Sequence, residues 1–416
     1  ISAEFLLMAP TGNVVIAQGG GPTAVINASL CSVVREAFHR LGVGSEVWGA
    51  RNGIMGVLER KLINLRSVSD EEWERIARSP GAALGSCRKM LSADEAAAAV
   101  RVLQEKDVRY FFYIGGNDSM DTALKMDRAA SSVGYEMACC GIPKTIDNDL
   151  PSTDHCPGFG SAARFIAQAT LELGMDVRSL PTPVSILEVM GRTAGWLTAA
   201  TLLARRHPDD APHLIYVPEV ALTSERFLSD VQRVYDRLGW VVIAVSEGVQ
   251  DEGGESWGVT RSPTATDGFG HPLRGDVATR LATLVTSELG LRARSEKPGL
   301  LGRASAFTVS PTDRSEAEAV AAFALSWAVE GNTGFMASIQ RYPGCDYKVA
   351  YRAVPLESVA NGTRLLPLDY AAAGGSDIKE EYRAYAEPLI GGALAQYASL
   401  LGETQPDCAR LKAEGQ

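Results

Sequence analysis

No apolar run in this sequence approaches the roughly 20 residues that a membrane-spanning helix needs. The sequence also lacks a Cys-x-x-Cys pair, and it lacks Gly-x-Gly-x-x-Gly after its first apolar run. Basic residues are not in excess, because 40 Lys and Arg stand against 50 Asp and Glu, a formal net charge of −10. These absences argue against a membrane protein, a zinc or dithiol site of that spacing, a dinucleotide-binding oxidoreductase, and a protein that binds nucleic acid through its overall charge.

The seven cysteines are an odd number in a long chain and do not suggest a disulfide framework. We expect reduced thiols and a cytoplasmic location. The composition, 46% hydrophobic and 22% charged, is that of a globular protein, and a chain of this length usually divides into two lobes. Residues 1–10 contain a short apolar patch, which we interpret as a remnant or an alternative start and leave out of the fold argument.

Short apolar runs that end at glycine or polar turns alternate with helical patterns along the chain. One face of 26–37 is apolar at helical spacing, and Ser92 with Glu95 forms a capping box for a helix to about residue 106. We expect 250–273 to be a surface excursion and the charged segment 376–386 to be a solvated helix. The runs predicted as buried strands are 14–17, 110–114, 183–189 and 240–245. This alternation predicts an α/β protein with parallel sheets, whose ligands bind at the carboxyl ends of the strands.

Two glycine-rich segments follow predicted strands. In GGGPT, residues 19–23, the glycines let backbone N–H groups approach a phosphate, and the next helix presents its positive end. In GGNDS, residues 115–119, Asp118 would repel a phosphate unless a divalent metal or a cationic side chain lies between them. The alternatives are an ordinary tight turn in the first segment and helix capping by Asn, Asp and Ser in the second.

Charged side chains mark two further segments. In PKTIDND, Asp147 and Asp149 lie two residues apart on an extended segment and would point the same way. One carboxylate can act as a general base and the other can help to hold a metal, while Lys144 attracts an anion. In EVMGRTAG, glycines flank Arg192, so its guanidinium could reach a phosphate. The alternatives are a solvated turn and an ordinary surface arginine.

Taken in order, these segments resemble the phosphofructokinase family over about residues 14–310. The matching motifs are GGGPT (19–23), LGSCR (84–88), GGNDS (115–119), PKTIDND (143–149), TDHCPGFGSA (153–162), EVMGRTAGW (188–196) and SEG (246–248). The resemblance implies an α/β fold of two Rossmann-like lobes with mainly parallel sheets, and an active site in the cleft between them. It implies a phosphate-donor lobe at 14–155 completed by about 305–350, a sugar-phosphate-binding lobe at 156–304, and a C-terminal extension at 351–416.

The activity implied by the resemblance is a reversible, Mg²⁺-dependent phosphoryl transfer to the 1-hydroxyl of fructose 6-phosphate. Asp147 matches the general base of the family, with Lys144, Thr145 and Arg192 as further catalytic residues. The residues assigned to the donor are Gly20, Arg88, Asp118, Ser119 and Lys144. The residues assigned to the sugar phosphate are Thr145, Asp147, Met190, Gly191, Arg192, Glu247, Lys297 and Arg303. The metal would rest on Asp118 and Asp149.

The donor follows from two differences within the family. ATP-dependent members usually read GGDGS and PGTIDND where this sequence reads GGNDS and PKTIDND. Asp118 fills space that the α-phosphate and ribose of a nucleotide need, and Lys144 brings a cation to a terminal phosphate, as in the pyrophosphate-dependent branch. We therefore predict pyrophosphate as the donor. The alternatives are ATP, or a non-catalytic paralogue that senses sugar phosphates, which the presence of Asp147 disfavours.

Three departures from the family pattern bear on the transfer of roles. Asn117 stands where an aspartate often helps to hold magnesium. Pro183 stands where many members have an arginine that reaches the sugar phosphate of a neighbouring subunit, and Arg178 is an alternative source of that contact. The late segment with Lys297 and Arg303, our candidates for the 6-phosphate, matches only loosely, so sedoheptulose 7-phosphate is a further candidate substrate. We expect a homodimer or homotetramer, and no nucleic-acid or membrane partner.

Overall fold

The structure is a computed structural model and describes residues 11–42, 44–258, 276–344 and 346–399. These residues form two β-sheets with helices packed around them. Residues 1–10 and most of the predicted surface excursion at 250–273 lie outside these ranges. Within them, every helix is too short or too polar to cross a bilayer. The cysteines described are free thiols, as the sequence predicts: Cys31, Cys87, Cys139, Cys140 and Cys156.

The described residues form eleven strands and twelve α-helices. The strands are β1 (Asn13–Gln18), β2 (Val47–Ala50), β3 (Leu62–Asn64), β4 (Val108–Gly115), β5 (Ala138–Pro143), β6 (Val184–Val189), β7 (Leu214–Tyr216), β8 (Val241–Ser246), β9 (Ala293–Glu296), β10 (Phe335–Arg341) and β11 (Val349–Pro355). The helices are α1 (Ile26–Arg40), α2 (Ile54–Leu58), α3 (Asp70–Arg78), α4 (Ala93–Glu105), α5 (Asn117–Ser132), α6 (Phe159–Ser179), α7 (Trp196–Ala199), α8 (Ser224–Leu238), α9 (Val277–Leu289), α10 (Leu301–Ala304), α11 (Pro311–Val329) and α12 (Glu381–Ala386). Short 3-10 helices cover Leu65–Ser67, Ala200–Ala204, Leu356–Ser358 and Leu368–Tyr370.

The larger sheet has seven strands in the order β11-β10-β5-β4-β1-β2-β3, and the smaller has four in the order β7-β8-β6-β9. The smaller sheet is entirely parallel, and in the larger sheet only β3 and β11 at the edges run antiparallel to their neighbours. Helices cover both faces of such sheets, which is why the central strands are continuous apolar runs without polar alternation. The predicted α/β class with mainly parallel sheets is confirmed.

Local signals predicted several elements correctly. The Ser92 hydroxyl accepts a hydrogen bond from the Glu95 backbone N–H at 3.2 Å, and a Glu95 carboxylate oxygen accepts from the Ser92 N–H at 2.9 Å, which is the predicted capping box at the start of α4. In α1, the apolar face predicted from helical spacing is buried against the larger sheet and α11.

The C-terminal part of the chain is more integrated than the sequence suggests. The first residues of the predicted extension at 351–416 belong to β11, which pairs with β10 in the larger sheet. The prediction of a solvated helix at 376–386 is wrong, because only Glu381–Ala386 is helical and Tyr382 on it is fully buried. Its ring packs 6.4 Å from that of Trp196, so aromatic burial outweighs the charges of the segment. The predicted lobe limits stay a prediction, because sheet membership does not fix where a lobe ends.

Candidate active site

The carboxyl ends of strands from both sheets open into one cavity of about 460 Å³. Turns that follow β1, β4 and β5 come from the larger sheet, and turns that follow β6 and β8 come from the smaller one. Parallel pairing places the ends of β1, β4 and β5 side by side, which brings together segments far apart in the sequence. The predicted site residues that line the cavity are Gly20, Arg88, Asp118, Ser119, Lys144, Thr145, Asp147, Asp149, Met190, Arg192, Glu247 and Arg303.

The turn after β1 passes close to cationic side chains. Gly20 adopts the left-handed conformation, with φ at 72°, which a residue with a side chain rarely takes. The Lys144 ammonium donates a hydrogen bond to the Gly21 carbonyl oxygen at 2.7 Å. A Cβ atom at position 21 would collide with the Arg303 guanidinium and lie 3.7 Å from Arg88. Three cations therefore surround this turn.

The turn after β4 leads directly into α5. Gly116 caps this helix without a side-chain hydrogen bond, and the residues of its first turn, Asn117, Asp118 and Ser119, line the cavity. Such a helix end attracts anions. A Cβ atom on Gly19 would lie 2.5 Å from the Ser119 hydroxyl, so the glycine allows the turn after β1 to lie close to the turn after β4.

The loop after β5 is bent where the sequence predicts an extended segment. Asn148 is buried and adopts the left-handed conformation, with φ at 56°. The expected extended conformation is therefore wrong at Asn148. Asp147 and Asp149 nevertheless both line the cavity.

Burial governs the acidity of this loop. It raises the pKa of Asp147, against the opposing charges of four cations: Arg192, Lys144, Arg303 and Arg88. It also raises the pKa of Asp149 to about 7, with the negative charge of Asp147 acting in the same direction. Burial, together with the positive charge of Arg303, lowers the pKa of Lys144 to about 8. Perturbed groups of opposite charge in one cavity are typical of active sites.

Oxygen ligands for a divalent metal are present at the α5 end of the cavity. The Asn117 amide donates a hydrogen bond to Asp149 at 3.3 Å, and its buried carbonyl oxygen has no partner among the described residues. Across the described ranges, no three or more His, Cys, Asp or Glu side chains are grouped to hold a metal by themselves. One or two carboxylates with an amide oxygen suit Mg²⁺, which usually completes its coordination with water and substrate phosphates. The residues present therefore fit this metal.

The turns from the smaller sheet hold Arg192 at the opposite wall. Gly191 has φ at 139°, its N–H faces the Glu247 carboxylate at 3.4 Å, and its carbonyl accepts from the Ser246 hydroxyl at 2.6 Å. A side chain on Gly248 would collide with the Arg192 carbonyl. Burial and the charge of Asp147 raise the pKa of Glu247. The two turns thus fix each other and orient Arg192 toward the cavity.

Some predicted residues lie elsewhere. Lys297 does not line the cavity, because its ammonium pairs with the buried Glu188 carboxylate at 2.5 Å. Gly191 precedes Arg192 in the chain but does not line the cavity, and Arg178, in the last turn of α6, does not line it either. Arg303 does line the cavity, beside Arg88 and the turn after β1.

Sequence reasoning missed one wall of the cavity. Asn361, Gly362 and Thr363, which follow β11, line it beside the start of α5. The Asn361 amide donates to Asp121 of α5 at 3.2 Å. These residues carry no motif, and they lie beyond the part of the chain where the family resemblance holds. No signal in the sequence pointed to them.

The family model for phosphofructokinases matches residues 13–328. The chain belongs to the phosphofructokinase family. The pyrophosphate–fructose 6-phosphate 1-phosphotransferase of Xanthomonas campestris pv. campestris is 42% identical over 389 residues, covering 92% of each chain. The enzyme of the same name from Rhodospirillum rubrum is 40% identical, over 91% of this chain and 94% of its own.

A solved structure agrees with this family assignment. The pyrophosphate-dependent phosphofructokinase from Marinobacter aquaeolei superposes with a TM-score of 0.82 at 38% identity, covering 93% of this chain and 94% of its own. The prediction of a phosphofructokinase-family phosphotransferase is thus confirmed, together with its fold class.

Proposed function

We propose that this protein transfers a phosphoryl group from pyrophosphate to the 1-hydroxyl of fructose 6-phosphate, giving fructose 1,6-bisphosphate and phosphate. The observation that carries the proposal is the half-buried carboxylate of Asp147 among four cations, in a cavity that the two glycine-rich turns also line. The similar proteins whose names state this activity support the same conclusion.

Asp147 acts as the general base. The sugar oxygen attacks the terminal phosphorus of pyrophosphate and forms a new O–P bond, while the bond to the bridging oxygen breaks and the electron pair leaves with phosphate. The proton of the 1-hydroxyl passes to Asp147. Transfer of this kind depends chiefly on positioning and on neutralising charge, so the base needs only to be ionised and within reach.

The cations divide between the reacting groups. Lys144, Arg88 and Arg303 surround the turn after β1 and neutralise the donor phosphates. Arg192 lies on the opposite wall, held by the turn around Gly191, and stabilises the phosphoryl group as it moves toward the sugar. The start of α5 adds backbone N–H donors for the departing phosphate.

Asp118, Asp149 and the Asn117 carbonyl would hold Mg²⁺. When bound, this ion neutralises the charge on the phosphate oxygens and so lowers the barrier to attack. Asp118 also accounts for the choice of donor, because its carboxylate occupies the start of α5, where a nucleotide would place further negative charge.

The decisive experiment compares donors. Purified protein is assayed for fructose 1,6-bisphosphate formation with Mg²⁺ and either pyrophosphate or ATP. We expect turnover with pyrophosphate, and turnover with ATP alone would overturn the donor assignment. Silence with both donors would overturn the assigned substrate pair, and sedoheptulose 7-phosphate would then be tested.

A variant of the base tests the mechanism. Asp147→Asn should lower kcat by about 10²- to 10⁴-fold, because the carboxamide cannot accept the proton. Binding of fructose 1,6-bisphosphate, measured by calorimetry, should persist. Asp127→Asn is the matched control, since this side chain accepts from Thr333, away from the cavity. Equal activity in the two variants would exclude Asp147 as the base.

From the family resemblance we also infer a cytoplasmic homodimer or homotetramer. The cross-subunit arginine of other members is replaced by Pro183, so the sugar phosphate would depend on other residues here. Light scattering coupled to size exclusion measures the subunit number, and a monomer that is fully active would overturn this inference.

A further inference from the structure

The segment after β11 lines the cavity with residues 361–363 and contacts loops from both sheets through Arg364. Its backbone N–H donates to the Asp149 carbonyl at 2.7 Å. Its guanidinium donates to the Asn148 carbonyl at 2.7 Å and also to the Asp154 carbonyl. One residue of the C-terminal segment therefore binds three main-chain carbonyls of the loop that follows β5.

The same residue also contacts the segment that follows β6. The Arg364 guanidinium lies 4.3 Å from the centre of the Trp196 ring, and its carbonyl accepts from the Trp196 indole N–H at 3.0 Å. Two residues on, the Leu366 N–H donates to Glu219 at 2.8 Å, and the same Glu219 oxygen accepts from the Gly195 N–H at 2.8 Å. Gly195 and Trp196 directly follow the turn that presents Arg192. Arg364 thus bridges the loop of the base and the turn of the phosphoryl-binding arginine.

Asn148 explains why this bridge matters for the chemistry. It lies between Asp147 and Asp149 in the sequence, is fully buried, and adopts the left-handed backbone conformation. Its side chain accepts from the Cys156 N–H at 3.0 Å and donates to the Tyr385 hydroxyl at 2.7 Å, and its carbonyl is held by Arg364. Because an uncommon backbone conformation needs its surroundings to maintain it, these contacts set the direction in which Asp147 points.

We propose that Arg364 is a positioning residue that couples the Asp147 loop to the Arg192 turn and so fixes the base relative to the phosphoryl group in flight. The inference deepens the proposed function and rests on it. Arg364 does not line the cavity, whereas its neighbours Asn361, Gly362 and Thr363 do. It therefore acts through the loop that it holds and not through contact with substrate.

The test uses the full chain with two substitutions. Arg364→Met keeps an apolar stem over Trp196 and removes the guanidinium donors, while Arg364→Lys keeps the charge but cannot serve two carbonyls and a ring together. The matched control is Arg164→Met. Arg164 of α6 also donates to main-chain carbonyls of the C-terminal part, those of Ile390 at 2.8 Å and Gly392 at 3.0 Å, and among the described residues these hydrogen bonds do not involve the loop after β5.

We expect Arg364→Met to lower kcat by about 10- to 100-fold, since a small misplacement of a catalytic group has effects of this size. KM for both substrates should stay within about two-fold, because no substrate contact is lost. Arg364→Lys should regain part of kcat. Amide hydrogen exchange of the peptide spanning residues 145–149 should be faster in Arg364→Met than in the wild type and in Arg164→Met.

Other outcomes would overturn the inference. An unchanged kcat would show that the bridge is dispensable. If Arg364→Met and Arg164→Met showed the same fall in kcat, the same rise in KM and the same fall in thermal stability, Arg364 would have only a general structural role. If Arg364→Met does not fold, Arg364→Lys provides the same comparison. If the wild type uses another substrate pair, the proposed function fails, but the exchange of 145–149 still reports whether Arg364 holds the loop.

Discussion

The Lys144 ammonium donates to the carbonyl oxygen of Gly21 over 2.7 Å, and this contact joins the loop after β5 to the turn after β1. Lys144 is buried, and its pKa is lowered to about 8 by burial and by the positive charge of Arg303. Because the turn after β1 consists of glycines, no side chain separates the Lys144 ammonium from a small anion bound at this turn. This contact gives a physical reason for our proposal that Lys144 favours pyrophosphate as the donor.

Replacing Lys144 tests its contact with the donor. Lys144→Met should lower kcat/KM for pyrophosphate by about 10²- to 10³-fold, because one preorganised positive donor is lost. In the wild type, kcat/KM for pyrophosphate should fall as the pH rises through about 8, since the ammonium then loses its proton. The variant should lack this alkaline limb. Retention of the limb in Lys144→Met would assign it to another group.

Asp118 can be tested by restoring the glycine of ATP-dependent relatives. Asp118→Gly removes a carboxylate from the first turn of α5, so ATP should become a detectable donor and pyrophosphate a poorer one. Initial rates with each donor measure the change in preference. Failure to gain any ATP use would show that other walls of the cavity, such as the one around Asn361, also exclude the nucleotide.

Gly248 tests the close approach of the two turns from the smaller sheet. A Cβ at this position would collide with the Arg192 carbonyl, so Gly248→Ala should displace the Arg192 turn and lower kcat by about ten-fold or more. Gly42→Ala is the matched control, because nothing lies within 4 Å of a Cβ there. Similar kinetics for both variants would contradict the steric argument.

His213 predicts a pH dependence of stability. Burial lowers its pKa to about 4, and its Nδ1 accepts a hydrogen bond from the Val242 N–H at 2.9 Å, so the folded protein needs the neutral ring. The unfolded chain takes up a proton near pH 6.5, so the free energy of unfolding should fall by up to about 3 kcal/mol between pH 6.5 and 4.

The control for His213 is a side chain that accepts the same hydrogen bond without titrating. His213→Asn should show a smaller fall over this range, measured by denaturant unfolding at each pH. The difference between the two proteins isolates this residue from the carboxyl groups that titrate in the same range. Identical pH profiles would show that His213 does not make this contribution.

Local sequence patterns were sufficient to predict the helices and strands that are bounded by capping residues or glycine-rich turns. The capping box at Ser92 fixed the start of α4, and continuous apolar runs identified the central strands of both sheets. The glycine-rich segments were correctly placed after β1 and β4, because glycine is needed where a backbone turns sharply beside another one. The set of cavity-lining residues around Asp147 followed from motifs that each lie within a few residues.

Local patterns could not predict contacts between segments that are far apart in the sequence. The pairing of Lys297 with Glu188, the burial of Tyr382 and the twist at Asn148 each depend on groups brought together by folding. The sequence suggested a phosphate ligand for the first, a solvated helix for the second and an extended segment for the third. For Tyr382 and Asn148, partners far along the chain outweighed the local preference, and Lys297 gained a partner that its own segment does not show.

The sequence by itself determined the α/β class and the family and suggested the residues of the proposed reaction, because periodicity and short motifs are local properties. The tertiary structure decided which of those residues meet. It placed Arg303 beside Arg88 and the donor turn, removed Lys297 from the cavity, and added Asn361 to its wall. It also made Arg364 a bridge across the cleft. These decisions depend on how the two sheets and the C-terminal segment pack, and packing is a property of the whole chain.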